Sequence, residues 1–333
     1  MNSSSSENEN PTLYNFQDNF NLLAAVLILM VGVIGVICNG SIIYIFYKES
    51  SERTAFNLIC VSRALISTYI LITSFLLVFL ISTLLGSSIF PDFIDSFFIN
   101  SSLTFYIGNE YQVAIIAVNR FTSLFFPFFY SKYFNIKPTL AILIGFYGYR
   151  IFESFRLSLF LLPPKCYTLF VPEDLTWTFN FEERCSFENG AFNGALVIFS
   201  SMTLLNVITF CRILWFYKLQ SSQNQSKETK KRAKKNALLF CQTVLQDSLY
   251  LIDLTFTYKL SSLSTHRFWS FISGTFVWEC LHSLDGFIML MFNERLSLLK
   301  KRLTSPSQTS MAGPQTIQST TMNQVRPRLS SVV

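Results

Sequence analysis

Charge is scarce in this sequence, and so are the residues that usually build enzyme sites. Asp, Glu, Lys and Arg make up 14% of 333 residues, too few to cover the surface of a soluble domain of that length. Histidine occurs only at His266 and His282, and no Cys/His set has metal-ligand spacing. There is no glycine-rich phosphate loop and no serine elbow of the lipase kind. These absences point away from an enzyme, and nothing in the chain implies a cofactor, a metal or a nucleic-acid partner. A basic n-region is also missing ahead of the first apolar run. The leader from Met1 to Asn21 is Ser-rich and carries Glu7, Glu9 and Asp18, so that run reads as a membrane anchor rather than a cleaved signal peptide.

What the chain has in abundance is apolar surface: half its residues are hydrophobic, with 36 Phe and 14 Tyr. They fall into seven long runs, Leu22–Phe46, Asn57–Leu84, Leu103–Phe126, Thr139–Leu162, Ala191–Phe216, Ala237–Leu260 and Phe268–Phe292. A helix needs roughly 20 residues to cross about 30 Å of hydrocarbon, and each run is long enough. Lipid offers no hydrogen bonds, so each segment must satisfy its own backbone as a helix; the short alternating segments of a barrel are absent. The expected architecture is an all-α membrane protein, a seven-transmembrane helix bundle. Residues 1–21 form an N-terminal tail, 22–292 the bundle, 293–303 a short amphipathic helix and 304–333 a disordered Ser/Thr-rich tail.

Basic residues set the threading. Lys218, Lys227, Lys230, Lys231, Arg232, Lys234 and Lys235 lie between runs five and six, and Arg295, Lys300, Lys301 and Arg302 follow run seven. The alternate loops hold Asp92, Asp95, Glu173, Asp174, Glu182, Glu183 and Glu188. This places the N-terminus outside and the C-terminus inside a plasma membrane, with the basic segments against anionic lipid or a cytoplasmic partner. Asn2 and Asn100 head sequons on the outer side and are candidate glycosylation sites. Of the seven cysteines, Cys166 and Cys185 share one outer loop. They read either as a disulfide closing a loop of about 20 residues or as two free thiols.

Ionisable groups within the runs need a partner or a cavity. Arg63 in the second run and Asp285 in the seventh both lie about 12 Å from the cytoplasmic side at 1.5 Å per residue. Equal depth makes them a candidate structural ion pair. A second set, Glu110, Arg150, Glu153, Arg156, Asp253, Glu279 and His282, lies at middle to outer depth, and Gln246 shares the Asp253 face within about 40°. Glu110, Glu153, Arg156, Gln246, Asp253, Glu279 and His282 are the candidate lining of a small-molecule pocket; interhelical hydrogen bonding is the alternative role for each. Phe97, Phe98, Phe105, Phe271 and Phe276 are candidate walls, or lipid-facing and packing residues.

Run ends add motifs. The first closes on Gly35-Val36-Ile37-Cys38-Asn39-Gly40, the third on Asn119-Arg120-Phe121 followed by Pro127 and Tyr130, and the seventh on Asp285-Gly286-Phe287-Ile288-Met289. With Phe56 to Ala64, the loop Cys166–Trp177–Cys185 and Phe240 to Asp247, this ordered set resembles the nematode serpentine chemoreceptors of class X, within the rhodopsin-like superfamily. The likeness spans roughly Gly35 to Asn293. It implies a G-protein-coupled receptor for a small environmental molecule at a sensory-neuron or ciliary surface, with a heterotrimeric G protein contacting Asn119 and Arg120. Departures are informative. Asn119 stands where the superfamily has an acid, which implies a weaker restraint on Arg120 and higher basal activity. Asp285-Gly286 replaces an Asn-Pro pair, no proline bends the sixth helix, and the usual cysteine atop helix three is missing. A retinal-type photoreceptor would need a lysine deep in the seventh run, which has none. The alternatives are a peptide or amine receptor of the same fold and, further off, a seven-helix ligand-gated channel or transporter.

Overall fold

Backbone groups in hydrocarbon must be satisfied within their own segment, and long helices account for nearly all of the described chain. The structure, a computed structural model, describes residues 19–50, 53–159, 167–180, 190–221 and 227–292. Helix α1 spans Asn19–Lys48. Helix α2 runs over Ala55–Leu85 and α3 over Asp92–Phe125. A two-turn helix, Pro127–Tyr133, leads into α4, Ile136–Leu159. An antiparallel hairpin follows, β1 (Tyr167–Val171) paired with β2 (Thr176–Asn180) in the register Tyr167 to Asn180. Helix α5 covers Gly190–Ser221; α6 covers Lys227–Thr255 and continues through Phe256–Leu260. Helix α7 is built from Arg267–Ser270, Phe271–Phe276 and Val277–Met291 in one continuous run.

Each apolar run lies along one of these helices to within a residue, apart from residues 160–162, which fall outside the described residues. Among the described residues, four helical stretches qualify by length and composition as membrane-crossing: Asn19–Lys48, Ala55–Leu85, Leu196–Trp215 and Ala237–Leu263. The other three helices carry their polarity where hydropathy averaging penalises it. Helix α3 buries Asn100, Asn109, Glu110, Gln112 and Asn119 along its length, and α7 buries Glu279, His282 and Asp285. Helix α4 holds Lys137, Arg150, Glu153 and Arg156. The helices close a circuit, α1 on α2 and α7, α3 on α2, α4 and α5, and α6 on α5 and α7, with α3 most central. The segments Asn2, Cys166, Cys185 and 293–303 lie outside the described residues, and with them the first sequon, the candidate disulfide and the expected amphipathic helix.

Three helices depart from the α-helical repeat at the hairpin end of the bundle. Leu71–Phe79, Phe256–Leu260 and Phe271–Phe276 are π-helical, and α2, α6 and α7 contain no proline. Two glycines set the closest helix approach. A Cβ on Gly35 would lie 2.8 Å from the Ser283 Cα, and one on Gly286 would lie 2.6 Å from the Asn39 side chain. Asn39 uses that space to donate to the Gly35 and His282 carbonyls at 2.9 and 3.1 Å, fastening α1 to α7.

Gly286→Ala should therefore overpack this contact and destabilise the bundle by about 1–3 kcal/mol. Because the clash falls on a side chain, Asn39→Ala should be less harmful in the Gly286→Ala background than alone. Thermal unfolding of the full chain in lipid nanodiscs measures both; simple additivity would refute the contact.

Candidate functional site

The hairpin roofs one end of the bundle and is held there by specific polar contacts. Thr168 donates its N–H to Ser96 Oγ at 3.3 Å and its hydroxyl to Asn100 Oδ1 at 3.2 Å, both on α3. Thr275 of α7 donates to the Leu175 carbonyl at 2.9 Å, and Arg267 donates to the Pro172 carbonyl at 3.1 Å and to Asn21 of α1. Leu175 is fully buried with φ of 53°, a left-handed conformation that an L-side chain tolerates only where packing holds it. Asn100 is correspondingly buried, with its amide nitrogen on Ser96 at 3.1 Å, so it offers no exposed amide for a glycan. The sequon there is a packing motif of α3, whose helix begins ten residues or so ahead of its apolar run.

Asp95 lies beside this attachment, outside the Leu103–Phe126 run. It is 1% exposed, accepts from Ser88 at 3.3 Å, and its Oδ1 has no hydrogen-bond partner. Burial raises its carboxyl to about 6, with nearby Asp92 adding to the effect.

Under the roof lies a cavity of about 520 Å³ between α3, α5, α6, α7 and β2. Trp177 of β2 and Trp278 of α7 cap and floor it, their rings 6.2 Å apart. Tyr106 and Glu110, one turn apart on α3, face Asp253 of α6. Tyr106 donates its hydroxyl to Asp253 Oδ2 at 2.7 Å, while Asp253 Oδ1 is left without a partner. The π segments of α6 and α7 contribute Thr257, Tyr258 and Gly274 to its wall.

Below the cavity, mid-bundle, Arg63 and Asp285 form a bidentate ion pair, with Nη2–Oδ1 at 2.7 Å and Nε–Oδ2 at 3.3 Å. Neither side chain is exposed. Gln246 of α6 donates to the same Oδ1 at 2.7 Å, and the Tyr250 ring lies 5.2 Å from the Arg63 guanidinium. His282, one turn earlier on α7, meets Ser67 of α2 at 3.3 Å and contacts both Tyr106 and Trp278 at 6.0 Å. A second polar cluster joins α2, α3 and α4: Gln112 donates to Ser62 at 2.7 Å and to Tyr147, which donates to Asn109 at 3.2 Å.

At the opposite end from the hairpin, Arg120 is 8% exposed, and Nε, Nη1 and Nη2 all lack a hydrogen-bond partner. Its guanidinium sits 4.9 Å from the Phe56 ring, beside a second cavity of about 290 Å³ that Asn119, Tyr130 and Phe240 also line. The Asn119 amide nitrogen is unpartnered too.

Of the seven residues expected to line a pocket, Glu110 and Asp253 line the cavity under the hairpin. The other five lie elsewhere. Glu153 pairs with Arg150 at 2.6 Å and accepts from Tyr149 at 2.8 Å on the outer side of α4, where Arg156 is exposed and not paired with it. Gln246 and His282 belong to the network below the cavity. Glu279 is buried against Gly32 of α1, both its oxygens without a partner. The polar side of α7 thus divides among three neighbours instead of facing one space. None of the five candidate phenylalanines lines the cavity; Phe105 and Phe271 sit in the apolar core. The aromatic lining comes instead from Tyr106, Tyr111, Tyr258, Trp177 and Trp278, which the search for charge passed over. The available signal was spacing: Tyr106 precedes Glu110, and Trp278 precedes His282, by one helical turn. Among the described residues no His, Cys, Asp and Glu group forms a metal set.

Residues 29–293 match the family model described as serpentine type 7TM GPCR chemoreceptor Srx. The chain is 28% identical over 298 residues to serpentine receptor class X 45 of Caenorhabditis elegans, covering 82% of this chain and 79% of that protein. The crystal structure of squid rhodopsin superposes with a TM-score of 0.61 at 15% identity, over 86% of this chain and 87% of that one, a likeness of fold alone.

Two expectations follow from the geometry. Removing one member of the mid-bundle pair, by Arg63→Met or Asp285→Leu, should destabilise the protein by about 3–5 kcal/mol, and the double substitution by less than the sum. Unfolding midpoints of the four proteins in nanodiscs give the coupling energy directly. Asp95 holds its proton to higher pH in the folded than in the unfolded chain. Its stabilising contribution is complete below the ordinary carboxyl range, near pH 4 or about there, and is lost as pH rises through about 6. Melting curves from about pH 4 to about pH 7 should show that fall in the wild type and a flatter profile in Asp95→Asn; parallel profiles would sink the assignment.

Proposed function

The chain belongs to the Srx family of serpentine seven-transmembrane chemoreceptors, and from that membership we propose that it binds a small molecule from outside the cell and signals through a heterotrimeric G protein. The cavity beneath the hairpin is the ligand site. The Arg120 end is cytoplasmic and receives the G protein, in the threading that the basic loops favour. The chain then resides in the plasma membrane of a sensory neuron or its cilium, with residues 293–303 as an amphipathic helix on the inner leaflet. The candidate Cys166–Cys185 bridge would sit in the loop that carries the hairpin, and an Asn2 glycan would be extracellular.

The observation that carries this reading is the pairing of two polar sites at opposite ends of one bundle, each with buried groups that no protein partner satisfies. At one end a cavity of about 520 Å³ holds two buried carboxyl groups; at the other, Arg120 is buried with no hydrogen-bond partner on any guanidinium nitrogen. Between them Arg63 and Asp285 form a fully buried ion pair. A buried cation without a partner is costly, and a partner that arrives only with the signalling protein accounts for its retention. Asn119 in place of an acid leaves Arg120 unrestrained by its neighbour, consistent with a bundle that reaches the signalling state readily.

Arg120→Ala should abolish a stimulus-dependent second-messenger response while leaving surface expression intact. Cells expressing the tagged chain, challenged with volatile and water-soluble compounds, provide the measurement. A stimulus-gated current that survives G-protein blockade would instead establish a channel.

A further inference from the structure

Building on the receptor reading, we infer that the cavity under the hairpin selects a small organic cation, a protonated amine or quaternary ammonium carrying an apolar or aromatic portion. The site bears two acids, Glu110 and Asp253, 6% and 2% exposed, and no Lys, Arg or His is among the described residues that line it. The donor that reaches the acids is already committed: Tyr106 has a single phenolic proton and gives it to Asp253 Oδ2 at 2.7 Å, while the Trp177 indole N–H in the roof is left without a partner. Asp253 Oδ1 is left without a partner, and the Tyr106 proton is not available to Glu110. Arg150, the cation that acts on Glu110 from α4, is engaged elsewhere, 2.6 Å from Glu153 and stacked 5.2 Å from the Tyr111 ring.

The walls are of matching chemistry. Tyr106, Tyr111, Tyr258, Trp177 and Trp278 bring aromatic rings to one space, and the negative faces of such rings attract a desolvated cation, indole most strongly. An anion entering here would meet two carboxyl groups and no counter-charge. A neutral ligand without a donor would leave the free Asp253 oxygen unsatisfied. An ammonium group supplies a charge to the acids while its substituents fill an apolar space of about 520 Å³, within the size range of small-molecule sites.

The full chain in lipid nanodiscs tests this with a shape-matched set: phenyltrimethylammonium, its uncharged isostere tert-butylbenzene, and benzoate, with tetramethylammonium as a smaller cation. Binding is read from the shift of the thermal unfolding midpoint and from quenching of tryptophan fluorescence, since Trp177 and Trp278 line the site. Phenyltrimethylammonium should bind about tenfold or more tightly than tert-butylbenzene, and benzoate should not bind. Asp253→Asn and Glu110→Gln, each isosteric, should weaken the cation and leave tert-butylbenzene unchanged. The wild-type charge series stands by itself should either variant misfold. Equal or tighter binding of the isostere or of benzoate would overturn cation selection while leaving a small-molecule receptor in place. So would cation affinity indifferent to both substitutions. A flat response to all four probes up to about 10 mM would overturn it too. Conversely, cation binding without any Arg120-dependent signal would preserve this inference and remove the receptor reading.

Discussion

Two opposite charges held in a region with no water must find each other, and the bundle is organised around the pair that does. Arg63 and Asp285 are wholly inaccessible and bidentate, and their partners extend the contact beyond α2 and α7. Gln246 ties α6 to the same carboxylate oxygen, and Tyr250 lays its ring against the guanidinium. One turn along α7, His282 reaches Ser67 of α2, while its carbonyl accepts from Asn39 of α1. Four helices are thereby fixed in depth relative to one another. A buried pair of this kind adds little net stability over a well-packed apolar substitute, since desolvation offsets most of the attraction. Its effect is on register: sliding any one of these helices by a turn would strand a charge.

Above that fixed plane the helices are irregular, and the irregularity coincides with the cavity. Tyr106 stacks on Tyr250 at 5.8 Å and meets Trp278 edge-on at 6.3 Å, forming an aromatic layer over the ion pair. The π-helical turns of α6 and α7 begin near this level and contribute cavity wall. Helices α2, α6 and α7 contain no proline, and the widened π turns are where they depart from the α-helical repeat. The hairpin then closes the space, locked by Thr275, Arg267 and Thr168, with Leu175 in a backbone conformation that only dense packing maintains.

Depth was legible in the sequence, and direction around the helix was not. Counting residues at 1.5 Å each was enough to bring Arg63 and Asp285 to one level, and i,i+3 spacing was enough for Arg150 and Glu153. Neither rule says which neighbour a side chain faces. Helix α4 turns its charged pair outward, and α7 sends Thr275 to the hairpin, Glu279 to α1 and His282 to α2. A helix buried on several sides has no single polar face for periodicity to detect. For the same reason the aromatic lining was missed: among 36 Phe and 14 Tyr, Tyr106 and Tyr258 carry no compositional mark. Asn100 shows the converse error, a local motif with an obvious surface meaning that the extended start of α3 draws into the interior.

The distribution of satisfied and unsatisfied charge separates what holds the bundle from what the bundle is for. A protein selected only for packing would lose an unpartnered buried carboxyl or guanidinium, because each costs more than the apolar residue that could replace it. Mid-bundle, Asp285 has its partners on both oxygens, while Arg63 Nη1 and Asp247 Oδ1 have none. Toward the hairpin, Asp253 keeps one oxygen without a partner beside Glu110; toward the far end, Arg120 keeps all three nitrogens so. Glu279 stands apart, buried against Gly32 with both oxygens unpartnered, and nothing in the structure explains it. The site at the hairpin end is in contact with the mid-bundle pair. Tyr106 touches Asp253 above and stacks on Tyr250 below, and Tyr250 lies against Arg63. An occupant that draws Asp253 away from Tyr106 therefore loosens a ring whose next contact is the pair that fixes the register of α2, α6 and α7. Such a sequence of contacts carries a signal only where they have two alternative arrangements. A ligand with no preference between the two arrangements would shift nothing, however tightly it bound. The charge selectivity proposed at Asp253 would give such a preference a definite place to act.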